Sequence, residues 1–160
     1  MSEEQEEKEV LAYDDEFDLD KDYKPVPLIP QGDYNSNIVE ARVDDEIGAI
    51  VLVAQLQGNP EIMCSDAETP VDGQSVALKI WLPKSDDGTK MTPKGNQTKR
   101  QWKLNNLKEC MDKLGISAPT VSAMREQIAE GKWNIENVVV AVEVNIYKGT
   151  TSNDARSMTI

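Results

Sequence analysis

The 160-residue chain contains no histidine. That absence removes the commonest general base, the commonest metal ligand and every nucleophile arrangement in which histidine activates serine or cysteine. Cysteine is nearly missing too. Cys64 and Cys110 stand alone without CxxC spacing, so neither a zinc site nor a disulfide framework is indicated. Both thiols are expected as small core fillers in a reducing compartment. No stretch approaches the roughly twenty apolar residues that cross a bilayer. The N-terminus has neither the basic n-region nor the apolar h-region of a signal peptide, which predicts a cytoplasmic location.

Carboxylate-only catalysis survives these absences. Its candidates are Asp44, Asp45 and Glu46 beside Gly48, and Asp86 and Asp87 before Gly88. Acids next to glycine in turns are ordinarily solvated turn residues. The expectation is therefore a binding protein that is not an enzyme and uses no cofactor or metal. A metal-dependent nuclease built on these acids remains a rival.

What the chain does have is acid, and it is unevenly placed. Of the formal net charge of −12, −9 falls within residues 1–22, where eleven acidic residues face two lysines, leaving −3 for the rest. So polar a run cannot bury enough apolar surface to offset its ordering entropy. It is expected to be a disordered acidic tail. Pro25, Pro27 and Pro30, followed by Gln31 and Gly32, read as an extended linker. Residues 1–27 are thus assigned to tail and linker, and 28–160 to one domain.

Within that domain the first strand is expected over Tyr34–Val43, with a turn at Asp44–Gly48 and a dense apolar strand over Ala49–Leu56. After a loop through Thr69, Pro70, Asp72 and Gly73 comes the clearest alternation. Val76, Leu78, Ile80 and Leu82 share one face, and Ala77, Lys79 and Trp81 the other. Lys84–Thr98 is a long polar loop, a length that suggests function or mobility. Leu104, Leu107, Met111 and Leu114 are spaced as a helix ending at Gly115, and a second helix is expected over Val121–Glu130. Alternating valines from Val138 to Ile146 give another strand. A turn over Gly149–Asp154 and a last strand over Ala155–Ile160 close the chain. The order suits a mainly β, OB-like Greek-key barrel with one or two helices; another small α+β sheet domain fits the periodicity as well.

Charge segregation is the first functional signal. Between Lys79 and Lys113 nine basic residues face four acidic ones, inside an acidic protein. Such a cluster either solubilises a loop and a helix face or forms a groove for a polyanion. Aromatics interleave with it: Trp81 follows Lys79, and Trp102 lies between Arg100 and Lys103. A base needs a π-face to stack on and a cation near its phosphate. Trp81 is open to two readings, stacking or cover by a helix. Trp102 is open to packing against the sheet or to nucleic-acid contact. Tyr34 and Tyr147 can extend the platform, whereas Trp133 reads as core. The candidate nucleic-acid residues are Lys79, Trp81, Lys84, Lys90, Lys94, Lys99, Arg100, Trp102, Lys103, Tyr34 and Tyr147. In the tail, Tyr13, Phe17 and Leu19 are threaded through acids, a pattern for partner docking or simply for solubility.

Several segments together carry a resemblance. They are Leu28-Ile29-Pro30-Gln31-Gly32-Asp33-Tyr34, Thr69-Pro70-Val71-Asp72-Gly73 and Lys79-Ile80-Trp81-Leu82-Pro83, the loop to Arg100, the Leu107/Leu114-Gly115 helix, and the Val-rich strand ending Tyr147-Lys148-Gly149. Over roughly Leu28 to Ile160 the sequence resembles bacteriophage single-stranded DNA-binding proteins. The resemblance implies an OB fold, sequence-tolerant binding that protects or organises single strands in phage replication or recombination, and residence in the host-cell cytoplasm. It points to Lys79, Trp81 and the Lys84–Lys103 segment as the contact region. The implied partner is single-stranded DNA; replication or recombination proteins are expected at the tail from its acidic, apolar-punctuated pattern, a homo-oligomer stays open, and so does an adaptor docking partners through the tail. Many single-strand binders carry an acidic C-terminal tail, whereas the acidic segment here lies in front.

Two tail roles give different outcomes when residues 1–22 are deleted. Competition with DNA predicts higher single-strand affinity at low salt, a gain that fades as salt screens it. Docking predicts unchanged DNA affinity and no recovery of a partner. Binding curves of both proteins at two salt concentrations decide between them.

Overall fold

The structure is a computed structural model and describes residues 15–16, 18–21 and 26–160. Five strands form a single antiparallel sheet: β1 (Gly32–Asp44), β2 (Ala49–Leu56), β3 (Ser75–Trp81), β4 (Val138–Tyr147) and β5 (Thr150–Thr159). Two helices, α1 (Lys99–Lys113) and α2 (Val121–Ala129), fall between β3 and β4. The sheet order is β3-β2-β1-β4-β5. The mainly β expectation holds. The edge strands β3 and β5 approach each other, but no ladder joins them, so closure into a barrel remains an expectation. No helix among the described residues is long and apolar enough to cross a membrane.

Strand β1 serves two neighbours: Gly32–Ser36 pairs with β4 and Ser36–Asp44 with β2. A register shift between Ile38 and Glu40 leaves Val39 as an extra residue, and such a bulge bends the strand. Inward positions accordingly run Tyr34, Ser36, Ile38 and then Ala41, a step of three across the bulge. Strand β2 is the most deeply buried, with Ile50, Leu52, Ala54 and Leu56 all fully enclosed. Against them pack Val138 and Val140 of β4, Met158 of β5, Leu107 and Met111 of α1, and Met124 of α2. Trp133 is fully buried, as expected, and its Nε1 donates to Gln127 Oε1 at 3.2 Å.

Local chemistry fixes the helix ends. Thr98 accepts from the Gln101 amide at 3.1 Å, and Thr120 accepts from the Ala123 amide at 3.1 Å. After α1 the Ile116 amide returns to the Met111 carbonyl and the Gly115 amide to Asp112, with Gly115 at φ 68°. This is a Schellman ending, in which the left-handed residue favours glycine. The β4–β5 connection differs from expectation. It is a two-residue turn, Lys148 (φ 50°) and Gly149 (φ 79°), so Thr150–Asp154 belongs to the strand. Two successive positive φ values match the twist of the flanking strands.

Two asparagine side chains act as substitute peptide groups. Asn59 accepts from the Asn35 amide and donates to the Asn35 carbonyl, both at 2.8 Å, while also donating to Asp72 at 2.8 Å. Asn153 does the same for Ile29, accepting from its amide at 2.8 Å and donating to its carbonyl at 2.9 Å. Leu28 is held beside it by Ser65 in both directions, at 2.9 and 2.8 Å. The segment entering β1 is thereby fastened to β5 and to the loop before β3.

Asn59→Ala would remove the acceptor of the Asn35 amide, while the Asn35 carbonyl keeps the Gln57 amide at 3.1 Å, in a site where Asn59 is only 7% exposed. A loss of about 1–3 kcal/mol is expected, read as a lower urea midpoint at unchanged slope.

Candidate nucleic-acid interface

Two clefts meet along one face of α1. The first, of about 740 Å³, lies between the Lys84–Thr98 loop and the start of the helix, and Lys84, Lys90, Lys94, Lys99, Trp102 and Lys103 all line it. The second, of about 230 Å³, is the seam between the edges of β3 and β5, and Lys79 and Trp81 line it. Helix periodicity joins the two, because Trp102 and Lys103 face the first cleft, whereas Asn106, Cys110 and Lys113 face the second. The strand end Trp81-Leu82-Pro83-Lys84 runs from one to the other. The tryptophans are similarly available, Trp81 being 43% exposed and Trp102 42%. Neither is packed away as core.

The loop is a folded element. Met91 bridges to Thr98, the Thr92 amide donates to the Gln97 carbonyl, and a turn through Gly95 (φ 68°) presents Lys94 at its tip. Its base is held by Asp87. One oxygen, Asp87 Oδ2, accepts from the Lys84 amide at 2.6 Å and from Lys103 Nζ at 2.7 Å. The Asp87 side chain is 4% exposed and that of Lys103 14%. This corrects two expectations: Asp87 is not a solvated turn acid, and Lys103 is committed to an internal ion pair. A buried carboxylate must be paired or it neutralises, which is why the lysine turns inward. The hydrogen bond from Lys103 and that from the Lys84 amide hold the Asp87 carboxyl below its ordinary value.

Two more expected phosphate contacts have internal duties. Arg100 donates to the Ser85 carbonyl at 3.1 Å, and its guanidinium lies against Gly88, where a β-carbon would come within 2.7 Å of it. Lys90 pairs with Asp86 at 2.7 Å, an exposed pair that a competing phosphate can displace at little cost. Lys79, Lys84, Lys94 and Lys99 make no ion pair among the described residues, which leaves four unpaired ammonium groups along the two clefts.

Other expected residues lie elsewhere. Tyr34 is core: it is 6% exposed, faces inward with Ser36 and Ile38, and its hydroxyl donates to the Pro30 carbonyl at 2.6 Å. It cannot extend a stacking platform. Tyr147 is 71% exposed at the tip of the β4–β5 hairpin, with Lys148 Nζ 5.4 Å from its ring centre, but it lines neither cleft. Leu19 is 87% exposed beside an Asp18 turn; Tyr13 and Phe17 lie outside the described residues. Cys64 is buried, and burial pushes the half-buried Cys110 thiol up to about 11, so neither is a thiolate at neutral pH.

Asp44 and Asp45 have partners of their own. Asp44 accepts from the Glu46 and Ile47 amides, and Asp45 pairs with Arg125 at 3.1 Å. Among the described residues no three Asp, Glu or Cys side chains come together as a metal-binding group. Of the seam residues, Asn106, Lys113 and Arg156 were not among the candidate contact residues, although Lys113 belongs to the basic cluster. Helical spacing from Trp102 locates the first two. The signal for Arg156 is the three-residue step between the inward Ala155 and Met158, which a regular strand does not make. No protein-family model matches the chain, and no curated protein matches it in sequence.

The depressed Asp87 carboxyl gives a pH test with a definite sign. Its contribution to stability is present above the ordinary aspartate value of 3.8 and is lost as pH falls through the lower folded value. Asp87→Asn is expected to be less stable than wild type at neutral pH, with the gap narrowing on acidification through that window. Urea midpoints across acid pH measure it, and a constant gap would remove the ionised pair as the cause.

Proposed function

We propose that the protein binds single-stranded DNA with little regard to sequence, by stacking bases on Trp81 and Trp102 and neutralising phosphates with the lysines around them. One observation carries this reading. Trp81 shares its cleft with Lys79, and Trp102 shares its own with Lys84, Lys94 and Lys99, lysines that make no ion pair among the described residues; both half-exposed tryptophans open onto one face of α1. A sequence-tolerant single-strand site needs these two features, π-faces spaced along a cationic track. Sequence tolerance follows because every base has a π-face, whereas base-edge readout would need directed polar side chains.

The rest of the reading is proposed with it. The domain is an OB-type barrel whose β3–β5 side stays partly open, and binding is its work in place of catalysis. Its setting is phage replication or recombination in the host cytoplasm, where single strands require protection. The N-terminal segment docks other proteins of that process. The net negative charge is no obstacle, since the tail holds most of it and the clefts are locally basic.

Fluorescence titration with poly-dT and with duplex of equal length tests the proposal. Binding of the single strand is expected to be the tighter, because paired bases cannot reach an indole. Trp81→Ala and Trp102→Ala should each weaken it by about 5- to 150-fold, the equivalent of roughly 1–3 kcal/mol of stacking, with the salt slope unchanged. Equal affinity for the two forms would leave only a generic basic patch and overturn the stacking site.

A further inference from the structure

We propose that the seam between β3 and β5 is a single-nucleotide station, with Arg156 holding a phosphate while the base stacks on Trp81. The inference rests on the single-stranded DNA reading and adds a phosphate-binding residue and a place to it.

Arg156 owes its position to an irregularity of β5. Ser157 pairs with Ala141 and Ala155 with Val142, so Arg156 is the extra residue, opposite no partner. A bulge turns a side chain out of the strand's alternation and is a common device for aiming one at a site. Here the exposed guanidinium lines the seam together with Lys79 and Trp81 of β3 and Lys113 of α1. The floor is apolar, formed by Leu78, Ile80 and Met158, the last two almost fully buried. A cationic rim over an apolar floor with an indole on one wall is complementary to a nucleotide, whose base is flat and apolar-faced and whose phosphate is charged.

The charge balance points the same way. Three cations meet one carboxylate in the seam, and that carboxylate, Glu109, pairs with Lys113 at 3.2 Å. Among the described residues no ion pair holds Arg156 or Lys79. A chain with 29 acidic residues against 17 basic ones has carboxylates available to neutralise such a group. Like charges gathered without them repel each other until an anion arrives. Arginine is the side chain whose planar donors match phosphate oxygens two at a time. The edges of β3 and β5 facing the gap are unladdered, so backbone groups stand open beside any base that enters.

The test uses the full chain carrying Trp102→Phe. Trp133 is fully buried, so quenching by an oligo-dT then reports Trp81. Arg156→Gln in that background should weaken binding and diminish the quench. It should also reduce the salt slope by about 0.7, the share of a single phosphate on a single strand. Arg156→Lys should keep most of the slope. Arg125→Gln, which removes an exposed arginine paired elsewhere with Asp45, should change nothing. If the parent protein fails to bind oligo-dT at all, the single-strand reading itself falls. Binding by the parent with an unchanged slope in Arg156→Gln overturns the seam station and leaves that reading intact. Equal weakening in the Gln and Lys variants, together with a lowered melting temperature in both, would assign Arg156 to the fold and likewise overturn the station.

Discussion

Asp87 Oδ2 accepts from the Lys84 amide and the Lys103 ammonium at once; the first bond closes the base of the basic loop and the second ties it to α1. A carboxylate this enclosed is costly to leave unpaired, so loop and helix are coupled by more than proximity. Much else follows from the docking. Arg100 can reach the Ser85 carbonyl only because Gly88 lacks a β-carbon. The Lys90 carbonyl receives the Lys99 amide, which seats the helix start beneath the loop. Lys94, Lys99 and Trp102 line the cleft that results. The cleft is a by-product of one internal ion pair.

The sheet supplies the second cleft by what it leaves undone. Strand β1 bends at Val39 and changes neighbours, which carries β4 and β5 round toward β3. The circuit stops short of a ladder there, and α1 lies alongside the gap. Elsewhere the fold is careful to satisfy its polar groups. Asn59 and Asn153 supply amides where no strand is available, and no buried side-chain polar atom among the described residues lacks a partner. An opening lined by cations contrasts with that economy.

Where a segment follows one rule, its structure is legible in the sequence. Unbroken alternation places β3 and β4, apolar density places β2, and glycines at 115 and 131 mark the helix ends. Departures from a rule are harder. Period-two reading passes over a bulge and so misses Arg156, although the Ala155–Met158 spacing records it. The turn before β5 is expected too late because Lys148 is an unusual residue for positive φ. Tyr34 attracts a reading by its chemistry when its alternation with Ser36 and Ile38 already puts it inside. Asp87 and Lys103 are the deepest failure, since nothing local distinguishes them from Asp86 and Lys99. Only the meeting of loop and helix decides which charges pair inward, and sixteen residues separate that pair.

The fastening of Leu28 and Ile29 bears on how the molecule responds to load. Tension applied to the chain ahead of residue 28 arrives first at Leu28 and Ile29. The first bonds to take the tension are the four made by Ser65 and Asn153, acting in parallel. Force therefore enters through the loop before β3 and through β5 as well as through β1, the strand that follows directly in sequence. Strand β5 also carries Arg156, three residues beyond Asn153. Traction at one end of the chain is delivered first to an edge of the seam, and reaches β2 only through the ladders of β4 and β1.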